Sequence, residues 1–159
     1  MTSAEELADV LIRNGLTLSV AESCTGGMLG SAVTSVPGSS GYFLGGVVAY
    51  GNDSKTEILR VPKEIIAEKG AVSEETARYM AIGVRDLFGS DISSSVTGIA
   101  GPGGGTDSKH AGLVWIGISA EGDTFARKFD FGGCRESVRN SAVNAAMGLI
   151  SEYVLVRFH

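Results

Sequence analysis

The stretch "LTLSVAESCTGGMLGSAVTS", residues 16–35, decides how the chain folds. Leu16, Leu18 and Val20 alternate with polar residues, the period of a short β-strand. From about Cys24 to Ser35, Met28, Leu29, Ala32 and Val33 return at helical spacing. A strand that turns straight into a helix is the opening of an α/β unit. Ser23 and Cys24 stand at the turn, with Gly26 and Gly27 just behind them.

The flanking segments extend this alternation. Upstream, Ala4, Leu7, Ala8, Leu11 and Ile12 trace one helical face, Ser3-x-x-Glu6 reads as a capping box, and Asn14-Gly15 is a stop signal. Downstream, "YFLGGVVAYG" (42–51) is aromatic and β-branched, a second strand. Asn52 or Asp53 is placed to cap a short helix through Arg60, and Pro62 to open another that runs to Lys69-Gly70. Ser73 is an N-cap candidate for a helix buried through Ala77, Met80, Ala81, Val84 and Leu87. "DISSSVTGIA" (91–100) reads as a strand entering the loop "GPGGGTDSKH". "GLVWIGISA" and "TFARKFDF" form a hairpin over Glu121-Gly122-Asp123, and Val138, Ala142, Ala145, Ala146, Leu149 and Tyr153 mark a long last helix. The expectation is one α/β domain over residues 1–159, a three-layer α/β/α sandwich around a mixed, mostly parallel sheet.

Composition narrows the function. The 159 residues are 43% hydrophobic and 19% charged, with a net charge of −5. A general nucleic-acid binder would carry a basic excess, so none is expected. No apolar run reaches the roughly 18 residues of a membrane span. The N-terminal "MTSAEELADVLIRNG" is acidic and amphipathic, unlike a secretory leader, and a cytoplasmic location is expected. Cys24 and Cys134 lack metal-ligand spacing and read as free thiols.

Histidine is scarce. His110 lies beside the glycine-rich loop and His159 is terminal, so a Ser-His or Cys-His site would rest on His110 alone. A base of another kind is therefore sought. Ser23, at or near a helix N-cap, would meet free N–H groups able to hold an oxyanion, and Gly26 and Gly27 would let a substrate approach. Simple capping by Ser23 or Thr25 is the commoner use of such a position. Cys24 is the rival nucleophile, without a histidine to form its thiolate. "AYGNDSK" offers Lys55 as a base where burial lowers its pKa, with Tyr50 to relay or orient a proton; a solvated surface lysine is the plainer account. "TGIAGPGGG" (97–105) could present N–H groups to an oxygen or phosphate, or serve only as a flexible loop. Arg135 and Arg139, one turn apart at the start of the last helix, suit a phosphate or carboxylate, and equally an acidic neighbour.

Five motifs in order, "AESCTGG", "VVAYGNDSK", "GAVSEETA", "TGIAGPGGG" with "GLVWIGI", and "GGCRESVRNSA", resemble those of the CinA C-terminal domain family over about residues 4–155. That family includes nicotinamide mononucleotide deamidases. The resemblance implies a three-layer α/β/α amidohydrolase that needs no metal or cofactor and converts nicotinamide mononucleotide to nicotinate mononucleotide and ammonia. It makes Ser23 the nucleophile and Lys55 the base, with Tyr50 in the site. Thr25, Gly26, Gly27, Thr97, Gly98, Ala100 and Gly101 would line it, with Arg135 and Arg139 in a basic segment. A homo-oligomer is implied. Relatives often carry this domain behind a larger N-terminal one, and the segment in hand is expected to act as the free deamidase form. A nucleotide-binding module without chemistry and a hydrolase of a different amide or ester are the competing expectations.

Overall fold

A computed structural model of the chain describes residues 1–158. A five-stranded sheet runs in the order β2-β1-β3-β4-β5, with β1 Leu18–Glu22, β2 Phe43–Val48, β3 Ile92–Gly98, β4 Leu113–Ala120 and β5 Asp123–Asp130. The sheet is mixed as expected, and its four pairings divide evenly: β2-β1 and β1-β3 are parallel, β3-β4 and β4-β5 antiparallel. One face is covered by α1 (Ser3–Asn14), α2 (Met28–Thr34) and the long α6 (Arg135–Arg157). The other is covered by α5 (Glu74–Phe88), with α3 (Asn52–Glu57) and α4 (Lys63–Lys69) beside it. This is the three-layer sandwich.

Three local readings shift. Helix α3 is capped by Gly51, without a side-chain bond, rather than by Asn52 or Asp53, and it ends at Glu57, short of Arg60. The capping box of α1 sits one residue earlier than Ser3-x-x-Glu6: Thr2 accepts from the Glu5 amide while Glu5 accepts from the Thr2 amide. More important for the site, α2 starts at Met28, not near Cys24. Gly26 and Gly27 hold φ of 55° and 107°, left-handed values that a right-handed helix cannot contain. Ser23 therefore lies before the helix in a separate turn, and neither it nor Thr25 is the N-cap; that residue is Gly27, with no side-chain bond of its own.

The second layer packs unusually close through small residues. Ser93 and Ser95 of β3 point at α5 and donate to the Ala81 and Ala77 carbonyls at 2.6 Å each. This explains the serine run in a fully buried strand, because each buried hydroxyl finds an acceptor. Gly117 on β4 lies under the same turn of α5, where a Cβ would fall 2.6 Å from the Ala77 carbonyl. The helix can keep this position only while residue 117 lacks a side chain. Gly117→Ala is expected to cost about 1–3 kcal/mol, as overpacking does elsewhere, read from the urea unfolding midpoint.

Candidate active site

The C-terminal ends of the three parallel strands are in register, with Glu22 opposite both Val48 and Val96. In open α/β sheets the ligand crevice forms outside such ends. Here the loops after β1, β2 and β3 enclose a cavity of about 250 Å³ that includes Ser23, Lys55, Tyr50 and Thr97.

Lys55 is the unusual group. It projects from α3 and is only 1% exposed. Its Nζ lies 3.0 Å from Ser23 Oγ, 2.9 Å from the Ala49 carbonyl and 2.9 Å from the Tyr50 carbonyl. Loss of hydration pushes its pKa below the ordinary 10.5, with only a partial opposing pull from Cys24. A neutral amine has two N–H donors and one lone pair. The two carbonyls can only accept, so in the neutral form they would take both N–H groups and leave the lone pair toward the Ser23 hydroxyl, whereas the ammonium donates to all three oxygens.

Tyr50 enters this cluster through its carbonyl. Its side chain is 60% exposed, and its hydroxyl accepts from Arg135 Nη2 at 3.2 Å. Arg135 also donates to the Gly101 carbonyl at 2.9 Å, so it ties the glycine-rich loop to the strand 2 loop across the cavity mouth. Gly98, Ala100 and Gly101 line the cavity. Thr97 does too, while its hydroxyl donates to the Ala71 carbonyl at 2.7 Å and fixes the opposite wall, Ala71 and Val72. His110 is elsewhere, exposed and paired with Asp130 at 2.9 Å. Cys24 is buried, and burial raises its thiol to about 11, which leaves the thiolate scarce at neutral pH.

The remaining candidates lie behind Ser23. Thr25 is fully buried, its hydroxyl donating to Glu22 Oε1 at 2.7 Å. The Gly27 amide donates to the same oxygen at 3.2 Å, and Arg139 donates to the Cys24 carbonyl. The sequence reading missed Glu22. This carboxylate, 2% exposed, also accepts from the Leu29 and Gly30 amides at 2.8 and 3.0 Å. It thus supplies the helix-capping function that had been given to Ser23 or Thr25. The available signal was a lone charge at the end of an otherwise uncharged strand, next to the serine. Asn52, Ala71 and Val72 were also missed as lining residues. Among the described residues no three His, Cys, Asp or Glu side chains converge as a metal site, and no helix is long and apolar enough to cross a membrane.

The α/β/α sandwich with a mixed five-stranded sheet agrees with the family suggested by the motifs. The CinA C-terminal domain model matches residues 1–154, and the chain belongs to that family. It is 49% identical over 148 residues to a "Putative competence-damage inducible protein" of Desulforudis audaxviator, covering 93% of this chain and 36% of that protein. It is 48% identical over 153 residues to a "CinA-like protein" of Citrifermentans bemidjiense, covering 96% of this chain and 37% of the relative. The chain thus spans little more than a third of the length of these curated relatives. Among solved structures, the competence damage-inducible protein A of Klebsiella pneumoniae superposes with a TM-score of 0.93 at 36% identity, each chain covered completely. A CinA superfamily protein of Escherichia coli gives a TM-score of 0.90 at 33% identity, over 96% of this chain and 88% of that one.

The lowered Lys55 pKa has a stability consequence with a definite sign. The folded state binds this proton less readily than the unfolded chain, so the penalty for burying the lysine is full below its folded pKa. It disappears as pH rises toward about 10.5. The stability of the wild type relative to Lys55→Met should therefore be flat at low pH and climb through that window. Urea midpoints of the two proteins measured across pH check this, and a difference that stays constant would contradict it.

Proposed function

We propose that the protein is an amidohydrolase that converts nicotinamide mononucleotide to nicotinate mononucleotide and ammonia, with Ser23 as nucleophile and Lys55 as base. The 3.0 Å contact between a desolvated Lys55 Nζ and Ser23 Oγ carries this reading. Family membership and the cavity around the pair support it.

The steps follow from the donors and acceptors. Neutral Lys55 takes the hydroxyl proton directly; Tyr50 contributes a carbonyl that orients the amine. Ser23 Oγ attacks the carboxamide carbon and a tetrahedral oxyanion forms. Of the amides from 23 to 28, those of Ser23, Gly26, Gly27 and Met28 already have acceptors. The Cys24 and Thr25 amides have none among the described residues apart from the Cys24 sulfur itself. They are the donors left for the oxyanion, worth about 3 kcal/mol of barrier per donor in comparable sites. Protonated Lys55 returns its proton to the leaving nitrogen, and ammonia departs. Water, deprotonated by the same amine, then attacks the acyl-serine, and Lys55 returns that proton to Ser23 Oγ as the nicotinate product leaves. Arg135 at the rim supplies a cation for the nucleotide phosphate.

Ammonia release from nicotinamide mononucleotide is the direct assay. Ser23→Ala is expected to abolish it, Cys24→Ala to retain it, and Lys55→Met to lower kcat by between about 10²- and 10⁴-fold. The wild-type kcat/KM should rise with pH along a limb set by Lys55 losing its proton, placed below 10.5. Turnover surviving Ser23→Ala would end the nucleophile assignment. Binding of the nucleotide without ammonia release would favour the non-catalytic module, and release from another amide alone would favour the different hydrolase.

A further inference from the structure

The turn that carries Ser23 is held from two sides. Glu22 receives the Thr25 hydroxyl and the amides of Gly27, Leu29 and Gly30. From the opposite side, Arg139 of α6 donates Nε to the Cys24 carbonyl at 3.0 Å and Nη2 to the Thr25 carbonyl at 3.4 Å. Ser23 is itself fixed to β3 through its amide and the Val96 carbonyl at 2.9 Å.

Peptide geometry converts these grips into an orientation. In a trans peptide the C=O and the following N–H point to opposite sides. Drawing the Cys24 carbonyl toward α6 turns the Thr25 N–H away from α6. The Ser23 carbonyl accepts from the Gly26 amide within the turn at 3.1 Å, which turns the Cys24 N–H outward as well. The two amides with no acceptor beyond the Cys24 sulfur are thus those whose partner carbonyls are drawn away. A Cβ at Gly26 would lie 3.2 Å from Arg139 Nη2, so a side chain there would push the guanidinium back by a few tenths of an ångström.

Arg139 is also not placed as a substrate ligand. It does not line the cavity, whereas Arg135 does. Among the described residues it has no carboxylate within ion-pair distance. We infer that Arg139 is a positioning residue: it sets the Cys24 and Thr25 amides as the oxyanion hole and does not bind the substrate phosphate. This rests on the reading of Ser23 as a nucleophile.

A fluorophosphonate probe tests the hole without the nucleotide. Ser23 Oγ forms a bond to phosphorus, the P–F bond breaks, fluoride leaves, and the hydroxyl proton passes to Lys55. Probe labelling, nucleotide affinity by calorimetry and the melting temperature are to be measured for wild type, Arg139→Ala and Arg139→Lys. In Arg139→Ala, labelling should slow by about 10²-fold or more, the loss of one oxyanion donor. Added guanidinium at millimolar concentration should restore part of it, and nucleotide affinity should stay within about twofold. Arg139→Lys keeps the charge but not the fork, and serves if the alanine variant folds poorly; it should label about tenfold more slowly at unchanged affinity. Labelling at the wild-type rate in Arg139→Lys and Arg139→Ala would overturn the proposal. So would a loss of nucleotide affinity with labelling intact, the result expected of a phosphate ligand. A wild type that labels at Ser23 yet releases no ammonia would refute the substrate reading alone. A wild type that does not label would refute both.

Discussion

An amine held away from water by two carbonyls and one hydroxyl is the constraint on which this site depends. Lys55 can be buried only because the Ala49 and Tyr50 carbonyls and Ser23 Oγ meet its nitrogen. Those carbonyls come from the chain leaving β2, and the hydroxyl from the chain leaving β1. The amine therefore bridges two neighbouring strand ends. The same burial makes the ammonium form costly and lowers the pKa of the amine.

The alternation of the elements was legible because each segment carries its own period. Helices α1, α5 and α6 and the serine-rich β3 fall where the spacing places them, but Ile12 and Leu87, read into the faces of α1 and α5, are exposed near the ends of those helices. What misled the reading of α2 was local: Cys24 to Ser35 has helical apolar spacing, but the left-handed Gly26 and Gly27 postpone the helix to Met28. Hydrophobic period does not report backbone handedness. Ser23 and Lys55 were nameable from their motifs, and the structure brings them together at 3.0 Å. Glu22 was not nameable, because its four donors, the Thr25 hydroxyl and three amides, exist only once the turn has formed. Likewise, two arginines one turn apart look equivalent in sequence. Only the packing of α6 on the β1–α2 turn separates Arg139, which meets that turn's carbonyls, from Arg135 at the cavity rim.

The mixed sheet explains why the last helix can serve the first strand. In the parallel half, β1, β2 and β3 all end at the cavity, and each hands on a loop that lines it. A further parallel strand would have started at the far end of the sheet. Instead β4 runs antiparallel to β3, and β5 antiparallel to β4, so β5 ends at Asp130 on the cavity side. The chain then enters α6 at once, and its first turn delivers Arg135 to Gly101 and Tyr50. One turn later Arg139 reaches the carbonyls behind Ser23. The hairpin is thus not a decoration on a parallel fold. It reverses the chain direction once more, and that reversal places the amino end of α6 within side-chain reach of residues more than a hundred positions earlier.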